Sequence, residues 1–233
     1  LTVNGHILYK GKSEFGSGNI VVLMKETSTN KKTGNIPSIT MLPDIGKKPS
    51  RCLKDGDDHL VCGTCTLRKK ICYVATSHAP NQMYKSYTKG SYIKLNKETQ
   101  ERVSEQEVIR IGQYGDCASV PTKVWTKALK WLPPVLNYTH FWREKPRLHT
   151  FALASVHSPE ERQEAKALGF KTYRIKNIDD PVLPGEVLCP GDLTKSNPIQ
   201  CKKCKLCVVS KQTKDIVVNV HGTVGKIRAF KEA

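Results

Sequence analysis

The sequence predicts an α/β protein, with a parallel sheet in a partial or irregular (β/α) barrel-like arrangement that carries cysteine-rich, metal-binding insertions. Three observations predict it. Strand-like and helix-like segments alternate through the second half, the strand segments are near-continuous apolar runs, and one intervening helix has start and stop signals at both ends. Parallel pairing with right-handed crossovers follows from that alternation. At 233 residues the chain is long enough for one compact domain, expected as N-terminal strands and a basic extended arm over 1–50 and an α/β body over 51–233.

The first fifty residues read as loosely organised. Residues 15–19 and 27–34 have turn compositions, while the apolar run 20–24 between them suits a buried strand, with 36–41 as a second. Pro37, Pro43 and Pro49 then punctuate a stretch that reads as a flexible basic arm. Over 81–97, Tyr84, Tyr87 and Tyr92 interleave with Lys85, Lys89, Lys94 and Lys97, a pattern that suits base stacking with phosphate contacts, or equally a loop whose tyrosines pack inward. Residues 108–113 read as a buried strand ending in Tyr114-Gly115-Asp116. Ser119 offers an N-cap, and Val120, Val124, Trp125, Ala128 and Leu129 recur at helical spacing until Pro133-Pro134 stops them. Strands follow at 137–142 and 150–156. Ser158-Pro159-Glu160-Glu161 forms a capping box with proline at the first helical position, and Gly169 closes that helix ahead of a strand at 171–175. The last strands are 186–189 and 216–221.

Charge narrows the partner. Against 38 Lys+Arg stand 21 Asp+Glu, a formal charge of +17, which fits DNA or another polyanion, or simply a basic protein. No apolar run reaches the roughly 18 to 20 residues of a membrane span, and residues 1–10 lack the order of a signal peptide, so the expectation is an intracellular protein with no membrane partner. Neither GxGxxG nor GxxxxGK[ST] occurs, which argues against a dinucleotide or nucleoside-triphosphate enzyme.

Nine cysteines in such a compartment are expected reduced or metal-bound. Cys189, Cys201, Cys204 and Cys207, with His221 nearby, form one group; Cys62, Cys65 and Cys72, with Cys52 and His59 upstream, form another. Either could close a tetrahedral zinc site, and an iron–sulfur cluster is the alternative for the CxxCxxC group. Lys202, Lys203 and Lys205 favour thiolates there.

In parallel α/β folds, chemistry gathers at strand carboxyl ends. Those ends carry Gln113, Tyr114 and Asp116; His140, Trp142 and Arg143; Ser155 and His157; Arg174 and Lys176. Asp116 is the leading catalytic candidate, as nucleophile or base, with His140 beside it, although an aspartate so placed also suits a helix cap. Gln113, Tyr114, Trp142, Arg143, Ser155 and Arg174 are candidate substrate contacts, the indole stacking on an extruded base while the polar groups read its edge. A clustered carboxylate set for two-metal nuclease chemistry is missing.

The order Ile109–Asp116, Tyr138–Arg143, Ala154–Ser158, Cys189-Pro190, Cys201–Cys207 and His221-Gly222, with Cys62–Tyr73 upstream, resembles a family of bacteriophage proteins, over about residues 50–222. The three close cysteines and later histidine also resemble the zinc site of tRNA-guanine transglycosylases and their DNA-acting DpdA relatives. That resemblance implies zinc on Cys201, Cys204, Cys207 and His221, an active-site carboxylate at Asp116, and exchange of guanine for a 7-deazaguanine base in DNA. The cysteine spacing departs from the CxCxxC of those enzymes, and Asp179, Asp180 and Asp192 compete for the second aspartate. The sequence therefore leads to two expectations in a bacterial host cytoplasm: a DNA-modifying glycosyltransferase, or a non-catalytic zinc-containing nucleic-acid-binding protein.

Overall fold

The computed structural model describes residues 4–69, 71–192, 195–211 and 214–232. Residues 1–3, the start of the segment read for a leader, lie outside them. The chain gathers into two compact units where one domain is expected: Leu1–Ser28, Ile36–Cys65 and Val74–Pro133 form the first, and Thr29–Asn35, Thr66–Tyr73 and Pro134–Ala233 the second. Each unit draws on separated stretches, so no linker in the sequence marks the division.

In the first unit, β1 (Gly5–Lys12), β2 (Asn19–Lys25) and β3 (Ser38–Pro43) pair antiparallel in succession. Residues 20–24 of β2 are fully buried and every residue of β3 is buried, so these strands are covered on both faces. The expected arm thus lies at the centre of a sheet. Its turn-rich connections join strands of one hairpin series. Helices α1 (Pro49–Asp55), α2 (His59–Cys62) and α3 (Ala79–Thr88) all pack on β3. Two short strands, β4 (Ile93–Lys94) and β5 (Ile109–Ile111), add parallel to β1 and β3, giving the order β4-β1-β2-β3-β5 within this unit. Between them α4 (Lys97–Ser104) starts at Asn96, whose side chain accepts the Thr99 N–H at 2.8 Å. The 81–97 stretch is therefore α3 plus β4, with Tyr84 and Tyr92 buried and the Tyr87 hydroxyl donating to Asp44 at 3.2 Å. Its rings pack inward. Ser119 does not cap the next helix: it belongs to a 3-10 turn, Cys117–Ser119, and α5 (Thr122–Ala128) begins after Pro121.

The second unit has the expected α/β character. After β6 (Val135–Leu136) come β7 (Tyr138–Thr139), β8 (Leu153–Val156), α6 (Pro159–Ala167), β9 (Thr172–Lys176), β10 (Glu186–Leu188), α7 (Cys201–Cys204), β11 (Asp215–Asn219) and α8 (Val224–Lys231). The strands β10-β11-β9-β8-β7 pair parallel in that order. β8 and β11 are buried along their whole length, as parallel strands require. Ser158 caps α6 by accepting the Glu161 N–H at 3.1 Å, while the Glu161 carboxylate reaches one residue further back, to the His157 N–H at 2.7 Å. The expected strands 137–142 and 150–156 shorten because Pro146–Thr150 turns as a 3-10 segment. Among the described residues, no helix is long and apolar enough to cross a membrane.

Candidate metal centre

Local backbone bonding gathers the carboxyl-side cysteines of the second unit. Cys189 continues β10, its N–H donating to Val217 O at 2.8 Å. Pro190 O accepts the Ile199 N–H at 2.9 Å, which closes the intervening loop and delivers the chain to α7. Gly191 permits this approach, since a Cβ there would stand 2.8 Å from Ile199 O. Cys201 and Cys204 are three apart on the single turn of α7 and share a face. Lys205 then adopts a left-handed φ of 55°, reversing the chain so that Cys207 returns to the same side. The loop 29–35 braces this hairpin: Lys32 O accepts the Cys201 N–H at 3.1 Å, Thr33 O the Lys202 N–H at 3.0 Å, and Lys31 O the Gln200 Nε2 at 2.9 Å.

Cys189, Cys201, Cys204 and Cys207 line a cavity of about 20 Å³, together with Leu136, Ile199, Leu206 and Ile216. A space of that size accepts one body of water size. Burial pushes the Cys207 thiol up to about 12, against a hydrogen bond from the Tyr138 hydroxyl that favours the thiolate. Burial likewise raises Cys189, opposed by the Gly191 N–H. Those shifts favour the thiol form at Cys189 and Cys207, and among the described residues no group of three or more Cys, His, Asp or Glu side chains is drawn close enough to hold an ion as it stands. The donors nevertheless fit a soft cation: sulfur only, convergent on one small cavity, with polar hydrogens already aimed at two of them.

No family model, curated protein or solved structure matches this chain.

His221 stands apart from the cavity lining. Its Nδ1 lies 3.0 Å from Asn219 O, and its ring stacks on Tyr73 with centroids 4.2 Å apart and planes 6° off parallel. Cys189 lines that cavity with the other three cysteines. The amino-side cysteines divide between the units: Cys62 and Cys65 belong to the first, joined by a Cys65 N–H to Cys62 O bond of 3.1 Å, and Cys72 belongs to the second.

The strand-end candidates also divide, with Gln113, Tyr114 and Asp116 in the first unit and His140, Trp142, Arg143, Ser155 and Arg174 in the second. Asp116 is 5 % exposed and its Oδ1 accepts the Ala118 N–H at 2.9 Å, capping the 3-10 turn. Gln113 Oε1 faces the Ser38 and Thr40 hydroxyls, at 3.3 and 3.4 Å, and Tyr114 is buried with its carbonyl accepting the Met41 N–H. Gly115, at φ +81°, serves that packing: a Cβ would lie 2.8 Å from the Met41 Cβ. Trp142 is buried and donates to Ser155 O at 3.2 Å. The Arg143 guanidinium covers the indole at 3.9 Å and grips Glu164 through two bonds of 2.8 and 2.7 Å. Arg174, also buried, makes two 2.7 Å bonds to Glu186. Trp142, Arg143 and Arg174 therefore each make contacts within the fold. The His140 ring lies 5.8 Å from that of His157. Sequence reasoning missed Tyr138, Gly191 and the 29–35 loop; the glycine after Cys-Pro was the one local signal for them.

Proposed function

We propose that this protein is a zinc-containing nucleic-acid-binding protein, in which the metal locks the 189–207 segment and the basic surface around it meets phosphates. The observation that carries this reading is that Cys189, Cys201, Cys204 and Cys207 line one small cavity. When bound, zinc would hold the four thiolates and contribute folding free energy to a hairpin with little core of its own. Tyr138 and Gly191 would orient Cys207 and Cys189 by donating to sulfur. The bracing segments 29–35 and 195–207 contain Lys31, Lys32, Lys195, Lys202, Lys203 and Lys205 and neither aspartate nor glutamate. Such a local excess within a chain of charge +17 favours a polyanion. The resemblance to phage proteins supports DNA in a bacterial host as that nucleic acid.

Elemental analysis of the purified chain tests the first half, with about one zinc per chain expected and a clear deficit in Cys204→Ser. Iron with acid-labile sulfide, or no metal, overturns it. DNA affinity measured against salt tests the second half: the constant should drop steeply between low and physiological ionic strength, and a flat response counts against phosphate contacts.

Base exchange of guanine for a 7-deazaguanine is the second reading. It is favoured by the place of Asp116, just beyond the carboxyl end of β5 with Gly115 before it. It further requires a barrel-like closure of the strands and a carboxylate released from its cap.

A further inference from the structure

Two apolar side chains stand in water at the rim of the cysteine cavity. Ile199 is 48 % and Leu206 36 % exposed, and both line the cavity mouth. Leu206 follows the left-handed Lys205 at the hairpin tip, and Ile199 is pinned by its N–H bond to Pro190 O, so neither is placed there by a loose loop. The segments 29–35 and 195–207 that carry or brace them hold charge of one sign. Lys31, Lys195 and Lys203 are exposed, the Lys202 Nζ rests on an amide, Asn35 Oδ1, at 2.9 Å, and the two segments hold no carboxylate. A small rigid apolar tip ringed by cations complements a partner offering both flat apolar faces and phosphates.

We infer that this tip binds single-stranded nucleic acid, with Ile199 and Leu206 lying against the faces of unstacked bases and Lys31, Lys195 and Lys203 holding the backbone. The inference rests on the metal-locked, nucleic-acid-binding reading above and adds the strand state of the ligand. In a duplex the base faces are stacked and hidden, leaving a protruding aliphatic pair only sugar edges and groove floors to touch. A major-groove reader needs a helix or ribbon that enters the groove, and α7 has four residues. Unpaired strands expose base faces that tolerate any sequence, and the lysines supply the salt-dependent remainder.

The test uses the full zinc-loaded chain and fluorescence anisotropy with labelled oligothymidine, a duplex of equal length and, as competitor, inorganic polyphosphate. The wild type should prefer the single strand. The double change Ile199→Ser with Leu206→Ser should weaken single-strand binding about ten-fold while leaving duplex binding, zinc content and the salt slope as they were. Lys203→Glu should weaken both ligands and flatten the slope. If the double variant loses zinc, Leu206→Ser alone carries the comparison. Unchanged single-strand affinity in the serine variant, equal losses on both ligands, or polyphosphate competing as well as oligothymidine overturns the inference. Failure of the wild type to bind either nucleic acid overturns the underlying reading instead.

Discussion

Asp116 illustrates how far residue type alone can be trusted. In sequence it follows a strand and a glycine, a place where an ionised carboxylate serves equally as a nucleophile or as a cap. In the fold its Oδ1 accepts the Ala118 N–H at 2.9 Å, and its carbonyl accepts the Ser119 hydroxyl at 2.7 Å. Replacing it with alanine removes the acceptor from a buried N–H, which should cost about 1–2 kcal/mol of unfolding free energy in urea. Asp116→Asn keeps an acceptor of the same shape and should retain most of that stability. The pair separates the two chemistries: an asparagine as stable as wild type but unable to incorporate a labelled 7-deazaguanine would restore the catalytic role. Trp142 and Arg143 teach the same lesson. Their types suit base recognition, but Glu164, which takes up Arg143, lies on a later helix, and no local pattern couples the two.

At the scale of elements, local grammar succeeded where each signal is completed within a few residues. The Ser158 cap, Pro159 and Gly169 bound α6 as read, because a cap needs only its own turn. Of the hairpin series at the amino end, the apolar runs 20–24 and 36–41 were legible as strands, but β1 and the antiparallel pairing were not, because pairing depends on contacts between strands and the glycine-rich turns look like disorder in composition. What sequence also hides is the ionic lattice joining α6 to three strands. Arg174 on β9 is 2 % exposed and bonds both oxygens of the fully buried Glu186 carboxylate on β10, while Asp215 on β11 takes Arg162 at 2.8 Å and Lys166 at 3.0 Å. In Arg174→Met the carboxylate of Glu186 keeps, among the described residues, Arg162 at 3.6 Å and the Leu183 N–H at 2.8 Å. The loss should reach about 3–5 kcal/mol, because the penalty is that of a buried charge stripped of its main partner. Adding Glu186→Gln should recover a large part of it. Strictly additive losses in that double-mutant cycle would show the two side chains to be energetically independent.

For the molecule as a whole, the α/β class and the carboxyl-side cysteine group were legible, but the division into two units was not, since each is assembled from three separated stretches. Net charge was legible too, and it bears on stability. At pH 7 the chain carries +17 with its seven histidines neutral, so each imidazole that titrates adds to an existing positive excess. His157 resists that addition within the fold: burial, then the neighbouring His140, hold it down to about 4, with Glu161 opposing and the Phe230 ring edge-on against it. In the unfolded chain the same imidazole titrates near its ordinary value of about 6.5. Above that pH neither state binds the proton and His157 contributes nothing. Between about 6.5 and 4 the unfolded state binds more protons, so stability declines as pH falls through that window. Thermal unfolding across the window should therefore fall more steeply for the wild type than for His157→Asn. Zinc held by thiolates would be released toward acid in both proteins, so the difference between the two profiles isolates the imidazole. Parallel profiles would mean that His157 is solvated enough to titrate normally in the fold, and that the acid response comes from the rest of the positive charge.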